Sequence, residues 1–333
     1  MRDALVEVQN LKKYFLVEHG PLSTHRGKEE YVHAADDVSF VIQKGQTFSL
    51  VGETGSGKTT TGRCTIRLIE PTSGKINFDG VDLLSLNKNE LRKARRNMQM
   101  IFQDPYASLN PRMTVGESIE LPLKIHNLGD EREWRPIVMD LLDKVGLTPA
   151  SQYIDRHPHE FSGGQRQRVG IARALASKPK LVVADEPVSA LDVSVRSQIL
   201  NLLQDLKKDF GLTYLLIAHD LSVVRYMSDA LGVMYLGKMM ELGPSEEILN
   251  DPLHPYTQAL LAAVPLAAGP MKKGRPKLKG DLPSPISPPS GCRFHTLCPW
   301  AQERCAKEEP PLIDHGKDHF AACHFVDEIK QKL

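Results

Sequence analysis

The glycine-rich segment from Gly52 to Thr59, GETGSGKT, has the residue spacing of a phosphate-binding loop. Glycines allow the backbone N–H groups to turn toward an anion, and the helix that follows presents its positive N-terminus. Lys58 is expected to reach the β- and γ-phosphates of a nucleoside triphosphate, and the Thr59 hydroxyl to bind Mg²⁺. The alternative is a glycine-rich turn with an exposed lysine, but an apolar run before the loop and a helical pattern after it favour phosphate binding. The predicted nucleotide contacts are Gly52, Glu53, Thr54, Gly55, Ser56, Gly57, Lys58, Thr59 and Thr60.

Polar side chains follow other short apolar runs of the chain. Leu181 to Ala184 is followed by Asp185 and Glu186, and two further runs are followed by Gln103 and His219. Phosphoryl transfer needs metal charge and an oriented nucleophile, so Asp185 is predicted to hold Mg²⁺ and Glu186 to orient the attacking water. Gln103 is a candidate ligand for Mg²⁺ or the water, and His219 a candidate hydrogen-bond partner of the γ-phosphate. A strand-end acid can also cap the next element, and a strand-end histidine can be purely structural.

A second helix start is suited to anions. Phe161-Ser-Gly-Gly-Gln165 places Ser162 at an N-cap position, and its two glycines leave backbone N–H groups available. The alternative is a capped helix with a flexible entry. The residues of this second predicted phosphate contact are Ser162, Gly163, Gly164 and Gln165.

The elements that must position these residues are predicted from hydrophobic patterns. Four continuous apolar runs suit strands buried on both faces of a parallel sheet, and ligands bind beyond the carboxyl ends of such strands. The runs are Thr47–Val51, Met98–Phe102, Leu181–Ala184 and Tyr214–Ala218; the helical patterns are Lys58–Ile69, Gly116–Leu147, Ser162–Ser177 and Val195–Phe210. Pro122 and Pro136 are expected to start or break helices within the second pattern. The first 45 residues predict antiparallel strands, and residues 105–160 predict a mainly helical insertion.

The composition describes an ordinary globular protein. The 333 residues are 41% apolar and 25% charged, and the net charge of +1 gives no strong field toward nucleic acid, so no nucleic-acid partner is expected. The chain has no secretory signal pattern and no run of about 18 apolar residues. We therefore expect a cytosolic protein, alone or docked on a partner.

Taken together, these motifs resemble those of ATP-binding cassette (ABC) ATPases in order and spacing, over roughly residues 5 to 265. The resemblance implies an α/β P-loop NTPase fold: a RecA-like core, an antiparallel β subdomain and a helical subdomain at about 105–160, all within a nucleotide-binding domain at 1–265. It also implies ATP and Mg²⁺ as ligands, and two cassettes packed head to tail. The helix that starts at Ser162 would then close on ATP held by the partner cassette, with Asp192 of the Ser189–Asp192 turn at the seam. Tyr14 is the expected adenine-stacking residue, with Phe15 and Tyr31 as rivals.

Two further segments resemble ATPases of bacterial oligopeptide, dipeptide and nickel importers: Leu253–Leu261, LHPYTQALL, and the tail sequence GCRFHTLCPWAQERC. The sequence around Gln165 and Ser189 is similar to the F-type subunit of such importers. The resemblance implies a second ATPase subunit (or a homodimer in isolation), two transmembrane permease subunits, an external peptide-binding protein and a position on the cytoplasmic face of the inner membrane. The alternatives are a nickel importer ATPase and a soluble cassette protein acting on ribosomes or DNA.

Four cysteines fall in the predicted C-terminal extension, residues 266–333, after a Lys-, Gly- and Pro-rich linker at 272–289: Cys292, Cys298, Cys305 and Cys323. Clustered cysteines in a cytosolic chain indicate metal more than disulfides, and four thiolates can hold zinc or an iron–sulfur cluster. The close cysteine pairs usual for zinc are missing. The resemblance to importer ATPases implies a 4Fe–4S cluster, with zinc and reduced or disulfide-linked cysteines as alternatives. His295 and His324 are spare ligands, and Cys64 is expected to be a packed core residue.

Overall fold

The structure is a computed structural model that describes residues 3–17, 29–263 and 283–331. Its strands are β1 (Ala4–Leu16), β2 (Tyr31–Gln43), β3 (Thr47–Val51), β4 (Ser73–Phe78), β5 (Val81–Asp82), β6 (Met98–Ile101), β7 (Leu181–Asp185), β8 (Thr213–Ala218), β9 (Ala230–Tyr235), β10 (Lys238–Pro244), β11 (Ile313–Asp314) and β12 (Phe320–Ala321). Its α-helices are α1 (Lys58–Thr65), α2 (Lys88–Arg95), α3 (Val115–His126), α4 (Glu131–Lys144), α5 (Gly163–Leu175), α6 (Val193–Phe210), α7 (Leu221–Met227), α8 (Ser245–Asn250), α9 (Pro255–Ala263), α10 (Glu303–Lys307) and α11 (Val326–Lys330). Within these ranges, no helix has the length and apolar character needed to cross a membrane.

The chain folds as two compact units. Counting only the described residues, the first unit lies within Met1–Asp3, Gln43–Thr47 and Ser85–Ile217, and the second within Ala4–Ile42, Phe48–Leu84 and Ala218–Leu333. The expected boundary near residue 265 and the part of the predicted linker at 272–282 lie outside the described residues.

The first unit contains parallel strands whose carboxyl ends lie side by side. β6 pairs with β7 and β7 with β8, all parallel, so that Ile101 aligns with Ala184 and Asp185 with Ile217. Every residue of β7 and β8 is buried. This burial confirms the prediction, made from the continuous apolar runs, that these strands are covered on both faces.

The helices of the first unit differ from prediction at the two prolines. Pro122 lies inside α3 and Pro136 inside α4, where each removes one backbone donor without ending the helix. The break comes instead after His126, because Asn127 adopts a left-handed C-cap conformation and Asp130 caps α4 through the N–H of Arg132. Capping residues thus set the helix ends, and the expectation that the prolines would do so was wrong.

The second unit contains an antiparallel sheet with the neighbour order β2-β1-β4-β5. In this sheet β1 pairs antiparallel with β4, as the N-terminal pattern predicted. A further set of strands begins with β3, which pairs parallel with β9, and β9 pairs antiparallel with β10. The phosphate loop therefore emerges from β3 next to a strand that the sequence patterns did not reveal.

The C-terminal block, residues 283–331, adds two strands to this set. β12 pairs antiparallel with β10, where Glu241 aligns with Ala321, and β11 pairs with β12. A small apolar cluster of Leu253, Ala321 and Val326 lies beside this pairing, with Cys323 packed against it. The described part of the predicted C-terminal extension is thus joined by hydrogen bonds to the unit that carries the phosphate loop.

Candidate nucleotide-binding site

The phosphate loop, Gly52–Thr59, is formed by backbone geometry that requires glycine. Gly52, Gly55 and Gly57 have φ angles of 145°, 82° and 100°, which L residues rarely adopt. A Cβ atom on Gly57 would overlap the carbonyl oxygen of Ala34, a main-chain atom of β2. The loop is therefore fixed both by its own φ angles and by the backbone packed behind it.

Lys58 lies folded over this loop. Its ammonium donates to the carbonyl oxygens of Gly52 at 2.8 Å and Glu53 at 2.7 Å, and only 4% of the side chain is exposed. Gly57 occupies the N-cap position of α1 and provides no side-chain cap, so the first turn, which includes Thr59 and Thr60, depends on other groups. A buried cation and a helix start at one loop are the features that bind phosphate oxygens.

The predicted catalytic residues of the first unit come together at the ends of β6 and β7. The Gln103 amide donates to the Glu186 carboxylate at 2.9 Å, directly after Asp185, which is fully buried. Glu186 has a left-handed φ of 45°, and its N–H donates to Ile217 of β8. The side chain that the sequence predicted to orient water is therefore held by strained backbone and by the predicted glutamine.

Ser162 and Gln165 form a reciprocal cap at the start of α5. The Ser162 hydroxyl accepts from the Gln165 N–H at 3.3 Å, and the Gln165 side chain accepts from the Ser162 N–H at 2.9 Å. A Cβ on Gly164 would lie 2.6 Å from Cγ1 of Val195, so this glycine also permits α5 to approach α6. The sequence argument found an anion role for Gly164 and missed the packing role.

Two other predicted residues stand at element ends with exposed side chains. Asp192 is the N-cap residue of α6, without a side-chain capping hydrogen bond. His219 follows β8 and precedes Asp220, which caps α7.

Tyr14, the predicted adenine-stacking residue, is part of a charged cluster in the second unit. Its hydroxyl donates to Asp36 at 2.6 Å, and its ring lies 4.4 Å from the ring of His33. Burial alone would raise the pKa of Asp36, but the hydrogen bond from Tyr14 and nearby Lys238 and Arg293 outweigh it and hold the pKa below its ordinary value. The rival aromatic residues, Phe15 and Tyr31, are 38% and 37% exposed.

The four C-terminal cysteines line one cavity together with His254, Phe294, His295 and His324. All four are free thiols, and burial raises the pKa of Cys292 to about 12 and that of Cys298 to about 11. In the described ranges, no group of three or more His, Cys, Asp or Glu side chains stands close enough to hold a single metal ion. Cys64 is a fully buried residue of α1, as expected.

Sequence reasoning missed the contact of Tyr256 with the phosphate loop. The Tyr256 hydroxyl accepts from the N–H of Glu53 at 2.9 Å. The only available signal was the LHPYTQALL segment, which we interpreted as a marker of importer ATPases without assigning Tyr256 a partner.

Comparison with known proteins places these features in context. A family model described as ABC transporter matches residues 35–189, and one described as oligopeptide/dipeptide transporter, C-terminal region, matches residues 240–305. Oligopeptide transport ATP-binding protein AppF of Bacillus subtilis (strain 168) is 52% identical over 326 residues, which cover 97% of this chain and 98% of AppF.

Solved structures of ATP-binding cassettes share the fold. One is a dimeric post-hydrolysis state of the ATP-binding cassette MJ0796 bound to ADP and Pi, with a TM-score of 0.63 and 30% identity over 72% of this chain and 98% of that chain. Another is cbiO1 from Clostridium perfringens, part of the ABC transporter complex cbiONQ, with a TM-score of 0.62 and 26% identity over 75% of this chain and 92% of that chain.

Proposed function

This chain belongs to the ABC transporter ATP-binding family, and from that premise we propose that it is the ATP-hydrolysing subunit of an importer for oligopeptides or dipeptides. The observation that carries the proposal is that the likeness to an oligopeptide transport ATP-binding protein spans 97% of this chain, including the C-terminal region. The braced phosphate loop and the paired Gln103 and Glu186 provide the chemistry that such a subunit needs.

The proposed ATP chemistry assigns a role to each group. Lys58 exchanges its loop carbonyl partners for phosphate oxygens, and His219 senses the γ-phosphate. Glu186 orients the attacking water, with Gln103 holding its carboxylate. Mg²⁺, when bound, neutralises phosphate charge, and the buried carboxylate of Asp185, with the Thr59 hydroxyl, has the oxygen chemistry that this ion prefers.

We propose that each ATP is closed in by a second cassette, through its helix equivalent to α5. Ser162 and Gly163 lie at the start of α5, where backbone N–H groups and the positive helix end suit a γ-phosphate. Asp192 would lie at the seam of the dimer. An isolated chain is then expected to hydrolyse ATP slowly.

The remaining partners in the proposal are a second ATPase subunit, two transmembrane permeases and an external peptide-binding protein. The chain would lie on the cytoplasmic face of the inner membrane and pass its motion to the permeases through α3, α4 and the segment after Gln103. The support is the full-length likeness to AppF and the dimeric cassette structure of MJ0796.

Transport in a reconstituted complex tests the cargo. Proteoliposomes that contain this chain and the permeases encoded beside it are expected to import a labelled dipeptide or oligopeptide in the presence of ATP, whereas ⁶³Ni²⁺ stays outside. A Lys58→Ala chain serves as the inactive control. Uptake of Ni²⁺ without peptide uptake would replace the peptide proposal with the nickel importer.

We further propose that Cys292, Cys298, Cys305 and Cys323 hold a 4Fe–4S cluster. A cluster binds one thiolate to each of four irons, and therefore does not require three ligands around a single ion. The support is that the four thiols line one partly buried cavity. Protein purified without oxygen is expected to be brown and to contain iron and sulfide, and a Cys298→Ser chain to lose the colour. Colourless protein with stoichiometric zinc would contradict the proposal.

A further inference from the structure

Tyr256 connects the C-terminal part of the chain to the phosphate loop. Its hydroxyl accepts the Glu53 N–H at 2.9 Å, although the two residues are 203 positions apart. The Tyr256 side chain is 1% exposed, and the backbone before it is fixed because the buried carboxylate of Glu241 accepts from the N–H groups of Leu253 and His254. The hydroxyl is thus held at a set position beneath the loop.

The ring of Tyr256 is held by the C-terminal block. Phe294 is fully buried, and its ring centroid lies 5.3 Å from that of Tyr256 and 5.4 Å from that of Tyr235. The Tyr235 ring in turn lies 4.8 Å from Tyr256, but its hydroxyl has no hydrogen-bond partner in the part of the chain that the structure describes. Two tyrosines therefore share the same aromatic cluster, and among the described residues only the Tyr256 hydroxyl of the two forms a hydrogen bond to the loop.

Arg293, the residue before Phe294, supports the phosphate loop indirectly, through a neighbouring turn. Its guanidinium donates to the carbonyl oxygen of Leu236 and to the carboxylate of Asp36. Next to Leu236, the N–H of Gly237 donates to Ser56 of the phosphate loop at 2.9 Å, and the Gly237 carbonyl accepts from the Asp36 N–H at 2.8 Å. Arg293 thereby fixes the turn that supports the loop from behind.

Arg293 is also connected, through Asp36, to Tyr14, the predicted adenine-stacking residue. The Asp36 carboxylate, which Arg293 contacts, accepts a hydrogen bond from the Tyr14 hydroxyl at 2.6 Å. The Lys238 ammonium lies 3.6 Å from the same carboxylate. Arg293 is only 7% exposed, so these interactions form in a largely dry setting where a forked donor is most effective.

We propose that Arg293 and Phe294 are positioning residues of the nucleotide site. Phe294 sets Tyr256 against Glu53, and Arg293 sets the Leu236–Gly237 turn and Asp36. The C-terminal block therefore helps to shape the ATP site, in addition to the metal-binding role proposed for its cysteines. The inference rests on the proposed function in one respect, namely that the phosphate loop binds ATP.

A hydroxyl deletion with a matched control tests the first path. In the full-length chain, Tyr256→Phe keeps the ring and its packing but removes the acceptor of the Glu53 N–H, and Tyr235→Phe removes an unpaired hydroxyl from the same cluster. Because a loop that is less ordered must pay for its ordering on binding, Tyr256→Phe is expected to weaken MgADP binding about fivefold, the effect of one ordinary hydrogen bond. Tyr235→Phe is expected to bind as wild type.

Arg293→Lys tests the second path, since lysine keeps the charge but cannot serve two acceptors in fork geometry. In the Arg293→Lys chain, the KM for ATP is expected to rise by a larger factor than kcat falls. Arg304→Lys makes the same substitution at an exposed residue of the C-terminal block and is expected to leave KM and kcat unchanged. Calorimetric titrations are made below the Tm of each variant, so that reduced stability is not mistaken for reduced affinity. Wild-type MgADP affinity in folded Tyr256→Phe and Arg293→Lys chains would overturn the inference; failure of the wild-type chain to bind MgADP would overturn the proposed function itself.

Discussion

Replacing Glu186 with glutamine separates ATP binding from hydrolysis. Glutamine has nearly the same shape as glutamate, and its side-chain oxygen can still accept from the Gln103 amide, which lies 2.9 Å from the carboxylate. The left-handed backbone at φ 45° is equally strained for both residues. The substitution therefore removes the negative charge that orients and polarises water, and leaves the surrounding structure in place.

The size of the effect follows from that single loss. A positioned general base contributes about 10²- to 10⁴-fold to a rate, which corresponds to about 3 to 5 kcal/mol of transition-state stabilisation. The Lys58 ammonium is held by the carbonyl oxygens of Gly52 and Glu53 in its own loop, and we expect the affinity for MgATP to stay at the wild-type value. We expect kcat to fall by about 10²- to 10⁴-fold in the Glu186→Gln chain.

Single-turnover phosphate release, with protein in excess over ATP, measures the chemical step, and a calorimetric titration measures binding. Glu303→Gln is the matched control, because it makes the same chemical change at an exposed residue of α10 that forms a surface ion pair with Lys307. Phosphate release at the wild-type rate in Glu186→Gln would remove this residue from the mechanism. Loss of MgATP binding would instead mean that the carboxylate shapes the site and does not act on the water.

Three further outcomes follow from the structure. Gly57→Ala is expected to abolish nucleotide binding, since its Cβ would overlap the Ala34 carbonyl. The Cβ of Gly55→Ala would meet no atom within 4 Å, so this control variant is expected to lose only about 1 kcal/mol of folding stability, from the strain of its positive φ, as measured by thermal unfolding. Burial lowers the pKa of His254 from 6.5 to about 4, so the unfolded chain binds a proton at a higher pH than the folded chain does. The folded state is therefore expected to lose up to about 3 kcal/mol of stability as the pH falls from 6.5 toward 4. In a plot of Tm against pH, the His254→Gln chain is expected to show a flatter curve. Tyr14→Ala is expected to raise the KM for ATP by about tenfold or more through lost stacking, and a larger rise on removing either exposed aromatic rival would reassign the adenine contact.

The sequence predicts contacts that strand geometry dictates and not those that join distant segments. Gln103 and Glu186 both follow parallel strands, whose carboxyl ends share one edge of a sheet, and their side chains are hydrogen-bonded there. The contact between Tyr256 and Glu53 spans 203 residues and is not encoded in any local period. The helical pattern of residues 116–147 was similarly right in kind, but capping at Asn127 and not proline set its division.

Whether the site is shared between two cassettes can be decided at Ser162, because the structure allows a charge to be added there without breaking the helix cap. Aspartate is as good an N-cap residue as serine, so Ser162→Asp retains the bond from the Gln165 N–H but places a negative charge where the γ-phosphate is expected, and Ser162→Asn is the neutral control. Changing Gly164 is less informative, since any side chain would collide with Val195. Ser162→Asp and Lys58→Ala chains are each expected to be inactive alone, yet a mixed dimer restores one site that has both an intact loop and an intact α5. ATPase activity that returns on mixing supports sites completed by the partner, whereas a mixture as inactive as its components would mean that each chain acts alone.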